Sequence, residues 1–177
     1  ALILLRQGGA TKATQAEQIL RRIIASNGSQ TIDATRLLTD IQRRNWRAAK
    51  ESGSDPQQTA RILAEARSLF GTPINRKAAS PIDFYRLGDL LLEAEQIQEV
   101  EPLATRLEST TNGSPFALDL RLRLAKQNGD TSKVQELTKQ WADKASLSDQ
   151  SNAASILGLA GRVLLNLGYT KESVSWF

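Results

Sequence analysis

Signals that begin and end helices recur along the whole chain, and no strand-like segment rich in β-branched residues lies between them. Three helix starts combine a capping side chain with proline at the first helical position: Asp55-Pro56, Ser80-Pro81 and Ser114-Pro115. Glycine often ends a helix, as we expect at Gly129 and Gly168. The sequence therefore predicts an all-α protein built from a series of helices.

Apolar residues within these segments repeat with the spacing of one helical face, as Phe84, Leu87 and Leu91 do. The segment 116–124, FALDLRLRL, alternates instead with period two, which taken alone is typical of a strand. Its leucine, alanine and arginine favour helix, it contains no β-branched residue, and a Ser-Pro start precedes it. We predict a helix here as well.

Short polar or glycine-containing turns join the predicted helices in pairs. We predict about five antiparallel pairs, in the residue ranges 1–25, 31–70, 81–110, 115–145 and 149–177, with an extra turn in the segment 31–51. A length of 177 residues suits a single domain of this kind. Because the chain begins inside a helical pattern and ends on Trp176 and Phe177, we expect it to be a piece of a longer polypeptide.

Two glycines interrupt strong helix-forming runs, although glycine inside a helix costs about 1 kcal/mol relative to alanine. Gly88 and Gly161 lie 73 residues apart, about two periods of 36 to 37, and each is followed three residues later by leucine. Repeats of this length are typical of helix-pair solenoids. We predict that each glycine, having no Cβ, lets the second helix of its pair approach the first closely.

In the position and spacing of these glycines, the chain resembles the tetratricopeptide repeat family. Leu87-Gly88 matches the Leu-Gly pair of the family's first helix, and Ala160-Gly161 keeps the glycine. The segment 168–177 is similar to the family's turn and second helix, and Ala16 matches the small residue of that helix. The resemblance implies a divergent, right-handed solenoid that binds a protein or peptide partner on its concave surface, as a non-catalytic scaffold.

The chain contains no cysteine and no histidine, which excludes disulfides, thiolate zinc sites and imidazole bases. A group of four glutamates has no metal ligand or base beside it in the sequence: Glu93, Glu95, Glu99 and Glu101. No phosphate-binding loop or nucleophile motif occurs either. We therefore predict neither enzyme activity nor a cofactor, with a docking arm of a larger enzyme as an alternative. No apolar run is long enough for a membrane span, and a cytoplasmic or a bacterial periplasmic location fits equally.

Six polar side chains are predicted to face or border the concave surface: Tyr85, Asp89, Arg123, Lys126, Arg162 and Asn166. Their basic and amide groups suit a carboxylate, such as the C-terminus of a peptide or an acidic side chain. The alternative is an ordinary solvated helix face. Self-association through the ends of the solenoid is a further possible use of the fold.

One basic stretch contains an aromatic residue and consists of Arg43, Arg44, Trp46, Arg47 and Lys50. On a helix, Trp46 lies about 120° from the centre of the neighbouring apolar stripe, where it would stack on a base while the cations hold phosphates. The net charge of +4 is mild and permits nucleic-acid binding without indicating it. Single-stranded RNA binding is therefore an alternative function, and burial of Trp46 against a neighbouring helix is the alternative structure.

Overall fold

Every regular element that the structure describes is a helix. The structure, a computed structural model, describes residues 1–7, 10–75, 79–110, 114–146 and 150–170. These residues form nine α-helices: α1 Leu2–Gln7, α2 Ala10–Ser26, α3 Thr31–Glu51, α4 Pro56–Asn75, α5 Pro81–Glu93, α6 Val100–Glu108, α7 Ser114–Gln127, α8 Thr131–Ser146 and α9 Gln150–Asn166. A 3₁₀ turn, Ile97–Glu99, precedes α6. The predicted all-α class is confirmed for this part of the chain, in which no helix is long and apolar enough to cross a membrane.

The helices group into two compact units, residues 1–83 and 84–177, here called the N-terminal unit and the C-terminal unit. In the N-terminal unit α2 packs on α3 and α3 packs on α4. In the C-terminal unit α7 packs against α6 and α8, and α9 packs against α8. Consecutive helices thus neighbour each other from α1 to α4 and from α6 to α9, with the long α3 in the segment where an extra turn is expected. The single continuous solenoid stays a prediction.

Helix α7 is buried on two opposite sides. Residues two apart on a helix point about 200° apart, so alternate leucines face opposite ways. Leu118 and Leu122 join the apolar cluster that includes Trp141 of α8. Leu120 instead faces α5, where it meets Gly88. The period-two pattern of segment 116–124 therefore belongs to a helix held between neighbours on both sides, and the predicted helix is confirmed.

The ends of several helices carry the groups that the sequence predicts. Asp55 accepts a hydrogen bond of 3.2 Å from the backbone N–H two residues later, and Asp130 accepts one of 2.9 Å from the N–H three residues later. Gly129 and Gly168 have positive φ angles of 70° and 84°, as glycines that end helices do. Since α6 begins at Val100, Pro102 lies in its first turn, where a missing N–H costs little.

A buried carboxylate at the last residue of the N-terminal unit, Asp83 in the first turn of α5, pairs with Arg36 of α3. Asp83 is 2 % exposed, and Arg36 donates to it twice, from Nε to Oδ1 at 2.8 Å and from Nη2 to Oδ2 at 2.7 Å. The backbone N–H and the hydroxyl of Ser80 donate to Oδ2 of the same carboxylate at 2.8 and 3.0 Å. Asp83 therefore closes the first turn of α5 and neutralises an arginine of α3 at the same time.

Gly88 lies in close contact with α7. A Cβ atom added at Gly88 would be 2.5 Å from Cδ1 and 2.9 Å from Cδ2 of Leu120, well inside the normal separation of carbon atoms. The glycine does allow a close approach between helices. However, its nearest neighbour belongs to α7 and not to α6, the second helix of its own pair.

Replacing Gly88 with alanine is expected to lower the free energy of unfolding by about 1 kcal/mol. Alanine gains about 1 kcal/mol in helix propensity, but overpacking a buried contact costs about 1–3 kcal/mol, and Leu120 is fully buried. Gly158 of α9 is the matched control, because an added Cβ there has no neighbour within 4 Å. Gly158→Ala is expected to raise the stability by up to about 1 kcal/mol. Urea denaturation of both variants measures the difference, and equal stabilities would contradict the packing described.

Candidate functional site

A groove of about 460 Å³ opens on the C-terminal unit. Three of its helices supply the lining residues: Tyr85 from α5, then Pro115, Phe116, Asp119 and Arg123 from α7, then Arg162, Val163 and Asn166 from α9 with Leu167 just after it. Rings and aliphatic side chains make up one part of this lining, and charged or amide groups make up the rest. This mixture of apolar wall and a few polar groups is typical of sites that bind small ligands or peptides.

Four of the six side chains predicted to face a common surface line this groove, namely Tyr85, Arg123, Arg162 and Asn166. Asp89 stands beside them, because its Oδ1 lies 2.5 Å from Nη2 of Arg123. Lys126 donates from Nζ to the backbone carbonyl of Leu167, which is itself a lining residue. The structure thus brings all six to one region of the C-terminal unit, and their binding role stays a prediction.

A polar cluster joins α5 to α7 beside the groove. The Tyr85 hydroxyl donates to Oδ2 of Asp119 at 2.5 Å. Arg123 pairs with Asp89, and its Nη1 lies 3.9 Å from the same oxygen of Asp119. The Tyr85 ring also contacts Phe116, with 5.1 Å between ring centroids and 47° between the ring planes. Arg123 is therefore neutralised within the chain and is not free to hold a ligand carboxylate by itself.

The protonation states of this cluster follow from its burial. Burial raises the pKa of Asp119 above its ordinary value, and the opposing effects of the Tyr85 hydroxyl and of Arg123 do not cancel that rise. The pKa of Tyr85 is also raised, by burial first and then by the hydrogen bond to Asp119, so the phenol stays neutral. Burial lowers the pKa of Arg123, but Asp89 and Asp119 outweigh it and the pKa rises, which keeps the guanidinium charged.

Arg162 and Asn166 are the polar groups of the groove that remain open to a ligand. Both are exposed on α9, one turn apart, and neither has a hydrogen-bond or ion-pair partner among the described residues. Phe116, Val163 and Leu167 supply the apolar part of the same groove. A guanidinium and an amide side by side are suited to hold a carboxylate and a peptide backbone group.

Sequence reasoning missed part of the lining. In the sequence, Pro115 indicates only a helix start, and Phe116 is only part of an apolar pattern. Asp119 was not singled out, although its spacing of four residues from Arg123 on one helix is a visible sign of a paired polar group. The sequence alone does not give the distance from Asp119 to Tyr85, which lies 34 residues earlier in the chain.

A second groove, of about 480 Å³, lies on the N-terminal unit, and its lining includes Leu2, Ile23 and Leu37. Its charged side chain, Asp33, already accepts a hydrogen bond of 3.4 Å from Nη1 of Arg36. None of the side chains predicted to bind a partner lines it. The groove of the C-terminal unit is therefore the better candidate site.

The tryptophan of the basic stretch is not exposed to solvent. Trp46 is 4 % exposed, and Nζ of Lys50 lies 5.5 Å from the centre of its ring. A base cannot stack on a ring that is buried in this way, so the stacking surface expected for single-stranded RNA is absent. Arg44, Arg47 and Lys50 remain exposed, and Arg43 is partly so.

The four glutamates singled out in the sequence surround the link from α5 to α6. Glu101 accepts a hydrogen bond of 2.9 Å from Nε of Arg121, and Glu95 occupies a turn with a positive φ of 60°. Glu93 and Glu99 also have interaction partners within the chain. Within the described ranges, no group of three or more carboxylates comes together in a geometry that would hold a metal ion.

No protein-family model, no curated protein and no solved structure matches this chain. The resemblance to tetratricopeptide repeats therefore stays a prediction from the sequence.

Proposed function

We propose that the chain is a non-catalytic binding module that holds an extended segment of a partner protein in the groove of the C-terminal unit. One observation carries the proposal: Arg162 is exposed beside an apolar wall and has no partner among the described residues. No carboxylate of the described residues forms an ion pair with this cation. It is available to a ligand.

The proposed ligand is a peptide with a carboxylate, either at its C-terminus or on an acidic side chain. The guanidinium of Arg162 binds the carboxylate, and the amide of Asn166 pairs with a backbone group of the peptide. An apolar side chain of the peptide packs on Phe116, Val163 and Leu167. Apolar contact supplies most of the affinity, and the polar pair fixes the register of the peptide along the groove.

The rest of the groove is suited to rigid recognition. The contacts among Tyr85, Asp119 and Arg123 fix the positions of α5 and α7 before any ligand arrives. A wall that is already ordered loses less conformational entropy on binding than a mobile one. This supports a preformed groove rather than one that the ligand assembles.

In the larger architecture, we propose a solenoid similar to tetratricopeptide repeats, with the groove on the side formed by the first helices of successive pairs. The groove-lining helices α5, α7 and α9 alternate in the chain with α6 and α8, as the first helices of a solenoid do. A module of this kind serves as a scaffold or docking arm.

Arg162→Ala is expected to weaken peptide binding about tenfold, which corresponds to about 1.4 kcal/mol and is slightly below the usual range for a hydrogen bond to a charged group. The probe is an array of random peptides, each carried once with a free C-terminal carboxylate and once as the C-terminal amide. Binding is measured by fluorescence anisotropy on the peptides that the unaltered chain retains.

Lys139→Ala is the matched control, because Lys139 is exposed on α8 of the same unit and does not line the groove. Binding that survives Arg162→Ala, or that falls equally in both variants, would place the ligand elsewhere. An array that retains no peptide with a terminal or side-chain carboxylate would reject the proposed function.

A further inference from the structure

The positive charge of the chain is concentrated in one unit. Residues 1–83 contain 13 Lys and Arg against 7 Asp and Glu, a net charge of +6. Residues 84–177 contain 10 Lys and Arg against 12 Asp and Glu, a net charge of −2. The mild overall charge of +4 is thus the sum of a basic unit and a slightly acidic one. An excess of this kind attracts polyanions to the N-terminal unit.

Within that unit, four cations lie on the C-terminal half of α3 with no acidic residue between them. Arg43, Arg44, Arg47 and Lys50, which we call the basic face, span about 120° of the helix surface at 100° per residue and about 10 Å of its length. Arg44, Arg47 and Lys50 are exposed. Arg44 has no ion-pair partner among the described residues.

The helix dipole does not account for this concentration of charge. The helix dipole favours cations only in the last turn of a helix, which for α3 contains Lys50 alone among the four. Arg43, Arg47 and Lys50 do have interactions within the chain, but the flanking acids on α3 are only Asp40 and Glu51. Along this half of α3 the four cations exceed the two flanking carboxylates by two charges.

We propose that the basic face binds the phosphate backbone of duplex nucleic acid without reading its sequence. Because Trp46 is buried, this surface has no aromatic platform on which unpaired bases could stack. A duplex carries one negative charge per about 1.7 Å of its axis, so a face about 10 Å long meets about six phosphates. This surface belongs to a different unit from the peptide groove and does not depend on the proposed peptide binding.

The test is binding of the whole chain to a fluorescein-labelled DNA duplex of about 20 base pairs, measured by anisotropy at several salt concentrations. Four phosphate contacts predict an affinity that falls about 150-fold between about 50 and 200 mM salt. The variant Arg44→Gln/Arg47→Gln/Lys50→Gln retains one contact and is expected to change only about 3.5-fold over the same range. Glutamine is a comparable helix former, so circular dichroism should be unchanged.

The matched control is Lys133→Gln/Lys139→Gln/Lys144→Gln on α8, which removes the same charge from exposed positions of the C-terminal unit. This control should keep the salt dependence of the unaltered chain. If both triple variants lost affinity for the duplex equally, only the net charge would matter, and that result would overturn the proposal. So would an absence of binding at about 50 mM salt, tighter binding to the single strand of the same length, or preference for vesicles of phosphatidylcholine with phosphatidylserine over the duplex.

Discussion

Replacing Asp83 with alanine is expected to lower the free energy of unfolding by about 3 kcal/mol. The substitution leaves Arg36 without its two hydrogen bonds of 2.7 and 2.8 Å and removes the acceptor for the Ser80 N–H and hydroxyl. Breaking a buried ion pair costs about 3–5 kcal/mol, and losing a helix cap costs about 1 kcal/mol more. Arg36 is 30 % exposed, so water replaces part of the hydrogen bonding that it loses. The expected cost therefore lies at the lower end of the range for a buried ion pair.

This effect should depend on pH in a defined direction. Burial alone would raise the pKa of Asp83, but Arg36 and Ser80 outweigh burial and hold the pKa below its ordinary value. A carboxyl group with a lowered pKa stabilises the fold above its unfolded pKa, and that stabilisation is lost as the pH falls through its folded pKa. The unaltered chain and Asp83→Ala should therefore differ most near neutral pH and approach each other in acid. Urea denaturation over this pH range measures the difference.

Two further variants separate the ion pair from the cap. Arg36→Met keeps the aliphatic stem but leaves Asp83 buried without a counterion, and its cost should approach that of Asp83→Ala. Asp130→Ala removes a cap from α8 at an exposed position with no arginine partner, so its cost should be clearly smaller. If Asp130→Ala and Asp83→Ala were equally destabilising, the contribution of the ion pair would be negligible.

Trp141→Ala is expected to lower the free energy of unfolding by about 4 kcal/mol, the largest effect of any substitution considered. Trp141 is 1 % exposed and packs in the apolar cluster that also contains Leu118 and Leu122 of α7 and Val163 of α9. Truncating a buried tryptophan removes its apolar contacts and leaves a cavity, which together cost about 3–5 kcal/mol. Denaturation in urea, followed by far-ultraviolet circular dichroism, gives the value.

Because Val163 belongs to both this cluster and the groove, Trp141→Ala should also weaken the peptide binding proposed for the groove. Gln140→Ala, one residue away on the exposed side of α8, is the matched control and should change stability by less than about 0.5 kcal/mol. A loss of stability below about 2 kcal/mol for Trp141→Ala would mean that the cluster is not the core of this unit.

Much of the helical structure was predictable, because capping residues and apolar spacing act over one or two turns. The helix starts at Pro56 and Pro81 and the helix ends at Gly129 and Gly168 required only such local signals. The burial of α7 on two faces depends on contacts with residues that are distant in the sequence. Its period-two pattern alone is also compatible with a strand. The neighbour of Gly88 was also outside the reach of local rules, because Leu120 is 32 residues further along.

The candidate site was predictable in outline but not in its energetics. Helical spacing placed Tyr85, Arg123 and Arg162 on the first helices of successive pairs, and they do line one groove. The sequence did not indicate that Asp89 and Asp119 neutralise Arg123, since that pairing depends on how α5 and α7 pack. Trp46 is buried because the buried arc of α3 is wider than its stripe of leucine and isoleucine and also includes the polar residues Thr39 and Gln42.

The burial of α7 on both sides limits how this chain can be divided in the laboratory. A fragment that stops after Gln127 would uncover Leu118 and Leu122, and one that begins at Ser114 would uncover Leu120. Either product would have an apolar helix face in contact with water and would tend to aggregate. A soluble fragment that keeps the groove must therefore include α5 through α9 together, and expression boundaries should be placed outside that set of helices.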